Sequence, residues 1–260
     1  DGEVPIVTSK KEVIVGKQYN GELPFSFEIK YDEKDNLSMI IHNGEERILV
    51  EGLQYGRDKA TAKDTLVIPF KEYDTYIKVL TEENIMEGYW HVNYKKDYKI
   101  KFKAVHGDGE RFKNSSPKEV SAFAGKYEVK FSPESVDEYP AVGIFKQNGH
   151  KIEGTFYTET GDYRFLEGKV FGDKALLSCF DGAHAYLFEM KKINDGIIGE
   201  FRSGTHHREP FTAKINNDYK LKNAYDIVGI KNKNPFHVSL PNAEGTIVNT
   251  KSDDYKGKIK

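Results

Sequence analysis

The same order of short alternating segments occurs twice in this chain, about 110 to 116 residues apart, and any fold it adopts has to accommodate that repeat. In the first copy "ELPFSFEIK" (Glu22 to Lys30) is followed by "HNGEERILVEG" (His42 to Gly52), "DTLVIPF" (Asp64 to Phe70), "DTYIKV" (Asp74 to Val79), "GYWHVNY" (Gly88 to Tyr94) and "IKFKA" (Ile100 to Ala104). In the second, "EYPAVGIFK" (Glu138 to Lys146) leads to "GDYRFLEG" (Gly161 to Gly168), "DKALLSCF" (Asp173 to Phe180), "HAYLFEM" (His184 to Met190), "IIGEFRS" (Ile197 to Ser203) and "PFTAKI" (Pro210 to Ile215). Period-two alternation, many Tyr and Phe, and Asn-Gly or Gly-Asp pairs between segments read as strands joined by tight turns. Helical periodicity is almost absent.

Each copy therefore predicts an antiparallel meander of about six or seven strands, and such a meander must deal with two open edges. It does so by closing into a barrel or by pairing with the other copy, so the expected fold class is all-β: two related meanders, barrel or sandwich, lipocalin-like. In "IEGTFYTETGDYRFLEG" the alternation sends Ile152, Phe156 and Thr158 to one face and Glu153, Thr155, Tyr157 and Glu159 to the other. Between the copies, "HGDGERFKNSSPKEVSAFAG" (His106 to Gly125) has the Gly, Ser and Pro content of a linker, with a helical turn expected over Pro117 to Phe123. The expected domains are 1–117, 118–222 and a terminal piece, 223–260.

Charge narrows the choice of partners. With 39 Lys and Arg against 41 Asp and Glu, the net charge is -2, which argues against a global field for nucleic acid or an anionic membrane. The interleaved aromatics and lysines of "EGYWHVNYKKDYKIKF" (Glu87 to Phe102) can be read as a single-strand stacking surface. Core aromatics with lysines on the wet face explain them more simply. Cys179 is the single cysteine, so no internal disulfide and no CxxC is available, and its apolar neighbours make it a buried hydrophobe. No run approaches the length of a membrane span, and the first residues lack the regions of a signal peptide.

The residues "GKYEVKF" (Gly125 to Phe131), "EYPAVGIFKQNGHKIEGTFYTETGDYRFLEG" (Glu138 to Gly168) and "LLSCFDGAHAYLFE" (Leu176 to Glu189) resemble the region ahead of the thioredoxin domain in Bacteroidetes TlpA-type thiol-disulfide oxidoreductases. "FHVSLPNAEGTIVNTKSDDYKGKIK" (Phe236 to Lys260) is similar to the entry of that thioredoxin domain. The resemblance covers roughly residues 120 to 260 and stops before the W-C-x-x-C motif that carries the family's redox chemistry. It implies an extracytoplasmic parent protein, in the periplasm or cell envelope, touching a membrane only through a lipid anchor, with a thioredoxin-like domain as the C-terminal partner. For this chain it implies a non-catalytic binding or positioning module for a protein or small-molecule substrate, with no cofactor. A free-standing lipocalin-like binder of a small ligand and a hydrolase built on Asp181 and His184 are the alternatives.

Candidate ligand-binding residues are Tyr157, Arg164, Asp181, His184, Arg202 and His206. In "SCFDGAHAYLF" (Ser178 to Phe188), Asp181 and His184 flank a turn, so a carboxylate can orient an imidazole. The competing reading has Asp181 capping its own turn. Arg164, in "TETGDYRF", suits recognition of a carboxylate or an ion pair with a nearby acid. If strand ends converge, Tyr157, Arg164, His184 and Arg202 form a small polar pocket. His206 and His207 in "SGTHHREPF" alternate faces on a strand and lack the spacing of a metal site, so they read as a solvated hairpin tip.

Overall fold

The computed structural model describes residues 6–7, 12–13, 22–31, 36–107, 109–112, 119–223, 226 and 237–251. It is all-β, as the alternation predicts. Strands β1 (Ile6–Val7) and β2 (Glu12–Val13) pair with each other. A three-stranded antiparallel sheet runs β3 (Ser26–Tyr31), β4 (Leu37–Asn43), β5 (Glu46–Val50), and a five-stranded one runs β6 (Gln54–Arg57), β7 (Asp64–Phe70), β8 (Thr75–Glu82), β9 (Ile85–Val92), β10 (Lys99–Val105). The second copy supplies β11 (Gly125–Phe131), β12 (Tyr139–Asn148), β13 (Lys151–Thr158), the short β14 (Gly161–Asp162), β15 (Leu166–Phe171), β16 (Lys174–Phe180), β17 (Ala185–Ile193), β18 (Gly196–Ser203) and β19 (His207–Ile215). The terminal hairpin is β20 (His237–Pro241) and β21 (Ile247–Lys251).

The two copies solve the edge problem differently. In the second, β11 pairs with both β12 and β19 while β13 pairs with both β12 and β15, so eight antiparallel strands close on themselves and no barrel edge is left open. In the first, the three-stranded and five-stranded sheets stay separate but share one apolar cluster. Met39, Ile41 and Val50 come from one sheet and Ile68, Phe70, Ile77, Val79 and Trp90 from the other.

An eight-stranded barrel is just wide enough for its own side chains to fill, and aromatic rings fill this one. Phe156 stacks on Phe188 at 4.7 Å, Phe188 on Phe201 at 4.7 Å, and Phe131 meets Phe211 at 5.3 Å. Ile152 and Phe156 are fully buried in this cluster and Tyr157 faces outward, which is the register read from the sequence.

Residues 1–221 form one compact unit and 222–260 a second. Within the first unit the halves are joined by a plug and a clamp. The plug is Phe180, at the end of β16, whose ring belongs to the apolar cluster of the first copy. It stacks on Phe25 at 4.5 Å and meets the edges of Trp90 and Phe70 at 5.2 and 5.6 Å. Gly182 follows with φ +98°, and a Cβ there would come within 2.2 Å of the Phe70 ring, so only glycine lets the turn lie against that phenylalanine. Asn43 completes the seam as a surrogate strand partner. Its Nδ2 donates to the Phe180 carbonyl at 2.9 Å, and the Phe180 N–H donates to its Oδ1 at 3.3 Å.

The clamp is Arg111, from the stretch whose composition reads as a linker. Its guanidinium donates to the His42 carbonyl, to Asn43 Oδ1 at 3.2 Å, and to the Ser178 carbonyl and hydroxyl at 3.2 and 3.1 Å. Glu167 lies 3.5 Å from its Nε. Phe112 beside it is fully buried. The helical turn expected over Pro117 to Phe123 is not formed by the described residues 119–123, which run without regular structure. Phe123 is instead buried in the barrel core and receives a hydrogen bond at its carbonyl from Tyr127 Oη at 3.0 Å, a tertiary demand that overrides local helical preference.

In the second unit β20 and β21 pair around a turn capped by Asn242, with Gly245 at φ +78°. The apolar side chains of Leu240, Ile247 and Val248 are exposed. The closing "YKGKIK" lies outside the described residues.

Because Phe180 belongs structurally to the half it does not come from in sequence, Phe180→Ala should cost about 3–5 kcal/mol, the range for removing a core phenylalanine. Urea unfolding at equilibrium measures this. A loss below about 1 kcal/mol, the scale of a surface substitution, would mean that the plug does not hold the halves together.

Candidate binding site at the joint of the two halves

The turns after β11, β13, β16 and β18 all lie at one end of the barrel, because consecutive antiparallel strands alternate direction. That end meets the first half. The β16–β17 turn enters it with Asp181 at its centre, and the buried carboxylate is saturated with donors. Oδ1 accepts the N–H groups of Ala183 at 2.8 Å and His184 at 2.7 Å, His184 Nδ1 lies 2.9 Å from Oδ2, and Arg164 Nε lies 3.3 Å from it. Burial alone would raise the Asp181 pKa. The hydrogen bonds from His184 and the two backbone N–H groups outweigh it and hold the carboxyl below its usual range.

Arg164 reaches this site from a left-handed backbone conformation, φ 59°, fixed by its N–H donating to Asp162 Oδ1 at 2.8 Å. Its guanidinium also pairs with Glu46 of the first half at 2.6 Å. One arginine thus bridges carboxylates from both copies. Cys179, one residue before the plug, is fully buried, and burial together with the Asp181 carboxylate pushes its thiol up to about 12. At physiological pH it is a protonated, packed side chain with no nucleophilic character.

Inside the barrel mouth a second polar network is equally closed. Tyr139 Oη donates to Glu209 Oε2 at 2.9 Å and lies 2.7 Å from Tyr163 Oη, and Ser132 Oγ donates to Glu209 Oε1 at 2.7 Å. Burial, then the shared hydrogen bond with Tyr163, raises the Tyr139 pKa, so both phenols stay protonated.

Beside these closed networks lies an open cleft of about 310 Å³, walled by the β9–β10 turn of the first half and the β18–β19 turn of the barrel. Trp90, Tyr94 and Tyr98 give it aromatic surface, while Lys95, His206 and His207 give it cationic and imidazole groups. Lys95 Nζ sits over the Tyr98 ring at 4.8 Å and near that of Tyr94 at 5.9 Å. Gly204, at φ +59°, lets the Tyr98 hydroxyl approach to where a Cβ would stand 2.7 Å away. The Trp90 indole N–H is buried and has no hydrogen-bond partner among the described residues.

The residues nominated from sequence divide among these places. Arg164, Asp181 and His184 come together in the joint, with Asp181 acting as the cap of its turn. His206 lines the cleft. Tyr157 stands exposed on β13, apart from the others. Arg202 is buried on β18, pairing with Glu200 at 2.6 Å and Glu189 at 3.1 Å. The convergent pocket of Tyr157, Arg164, His184 and Arg202 is therefore not assembled: Arg164 and His184 meet at Asp181, Tyr157 is exposed on β13, and Arg202 is committed to its own carboxylates. Sequence reasoning passed over Trp90, Tyr94, Lys95 and Tyr98 as wall residues. Their aromatic and basic interleaving was the available signal. No family model, curated protein or solved structure matches the chain.

A carboxyl with a depressed folded-state pKa stabilises the fold above its unfolded value of about 4, and that contribution is lost as pH falls through the folded pKa. Asp181→Asn should therefore destabilise the protein by about 1–3 kcal/mol at pH 7. The gap from wild type should narrow progressively below about pH 4. Urea midpoints across that range measure it, and a gap that does not change with pH would mean that Asp181 is not held as a carboxylate in the fold.

Proposed function

We propose that this chain is the non-catalytic binding and positioning module of an extracytoplasmic thiol-disulfide oxidoreductase of the TlpA type. The observation that carries the reading is a contrast. The groups suited to chemistry, Asp181, His184 and Cys179, are engaged or buried in the joint, whereas the aromatic cleft is open. The resemblance of Tyr139 to Phe188 and of Phe236 to Lys260 to that family supplies the rest. In such a protein a thioredoxin-like domain follows in the chain. A module that holds substrate beside it raises the effective concentration of the disulfide to be reduced.

The two other readings have less support. A lipocalin-like binder would house its ligand within the barrel, where Phe131, Phe156, Phe188 and Phe211 already pack. A hydrolase would use the Asp181–His184 pair, which is formed, but among the described residues no hydroxyl or thiol hydrogen-bonds that imidazole to serve as a nucleophile.

Two measurements test the proposal. With dithiothreitol present, the purified chain should leave the rate of insulin precipitation at the level set by dithiothreitol alone, and its thiol should react with an aromatic disulfide reagent only after unfolding. Accelerated precipitation would overturn the reading. So would a coding sequence in which no W-C-x-x-C segment follows "YKGKIK".

A further inference from the structure

We propose that the cleft between the β9–β10 and β18–β19 turns binds a small aromatic carboxylate. This rests on the reading of the chain as a binding module and names what that module holds. The size of the site comes first: a cavity of about 150 Å³ accommodates a benzene ring. A cleft of about 310 Å³ has room for a ring and a short acidic arm.

The walls then define the chemistry. Trp90, Tyr94 and Tyr98 offer ring faces and edges, which favour a flat apolar body in offset or edge-to-face contact. Lys95 is a donor only, and the hydroxyls and imidazoles of the wall can also donate. Lys95 makes no ion pair with a carboxylate among the described residues, and its ammonium is steered toward the cleft by the Tyr98 ring. His206 makes no hydrogen bond or ion pair among the described residues. His207 is partly engaged, its Nε2 lying 3.5 Å from Glu209. No Asp or Glu lines the cleft itself.

An aromatic body with an anionic end is the ligand that uses both halves of this lining. The cleft is also compound: Trp90, Tyr94, Lys95 and Tyr98 belong to the first copy and His206 and His207 to the second, so the site exists only when the two copies are joined as they are here.

The chain contains a single tryptophan, Trp90, in the wall of this cleft, so a ligand seated there changes the environment of the one indole. Phenylacetate titrated into the full chain should produce a saturable change in emission. Phenylacetamide, which has the same ring and no charge, should bind about tenfold more weakly, as should the chain carrying Lys95→Gln or His206→Ala, each loss matching one charge-assisted hydrogen bond. Both substitutions are in hairpin turns, and an unchanged thermal midpoint shows that each variant is folded. Equal binding of phenylacetate and phenylacetamide, unchanged affinity in both variants, or saturable binding of a neutral oligosaccharide without phenylacetate would each overturn the assignment. Those outcomes leave the module reading standing, because the insulin assay, which does not involve the cleft, decides it separately.

Discussion

The guanidinium of Arg111 sets the terms on which this molecule holds together. A buried cation is tolerated only when acceptors surround it, and here the acceptors come from both copies of the repeat: Pro24, His42 and Asn43 on one side, Ser178 and Glu167 on the other. Neither half can leave without stranding the charge. The planar fork of arginine is what allows one side chain to face carbonyl, amide, hydroxyl and carboxylate oxygens at once, which a lysine ammonium would not match. Around that clamp, the Phe180 plug adds apolar burial and Asn43 pairs with the backbone of Phe180 as a strand would.

The rest of the architecture follows from having two copies with different closures. The second copy closes into a barrel whose interior is packed with aromatic rings. The first copy leaves two sheets that need a lid, and the β16–β17 turn of the barrel provides it. Placing that turn against Phe70 and Trp90 also sets the β18–β19 turn beside the β9–β10 turn. The aromatic cleft is thus a by-product of the joint, and its walls are positioned by the same contacts that stabilise the fold.

How much of this can be read in the sequence depends on the range of the interaction. Strand alternation is local, so the all-β class, the inward Ile152 and Phe156, and the turns at Gly149 and Gly172 are visible there. The capping role of Asp181 is also local, since its partners Ala183 and His184 lie within three residues. Arg111 is different. Its partners lie 56 to 87 residues away, and the Gly, Ser and Pro around it give the composition of a linker. The cleft is hidden for the same reason, because nothing near Trp90 or Tyr98 in the chain announces that His206 will stand opposite. Arg202 shows the converse failure. It looked like a free recognition group and is committed to Glu189 and Glu200.

The central claim is that the two copies form one cooperative unit through the Arg111 clamp and the Phe180 plug. Trp90 reports on the first copy and on the Phe180 plug packed against it, and hydrogen exchange of β13, β16 and β17 reports on the barrel, so a urea titration followed by both tests it most directly. Coincident unfolding midpoints are the result that this account predicts. A Trp90 transition well below that of the barrel strands would contradict it, because the first copy would then melt away from the barrel without the clamp and the plug coupling the two.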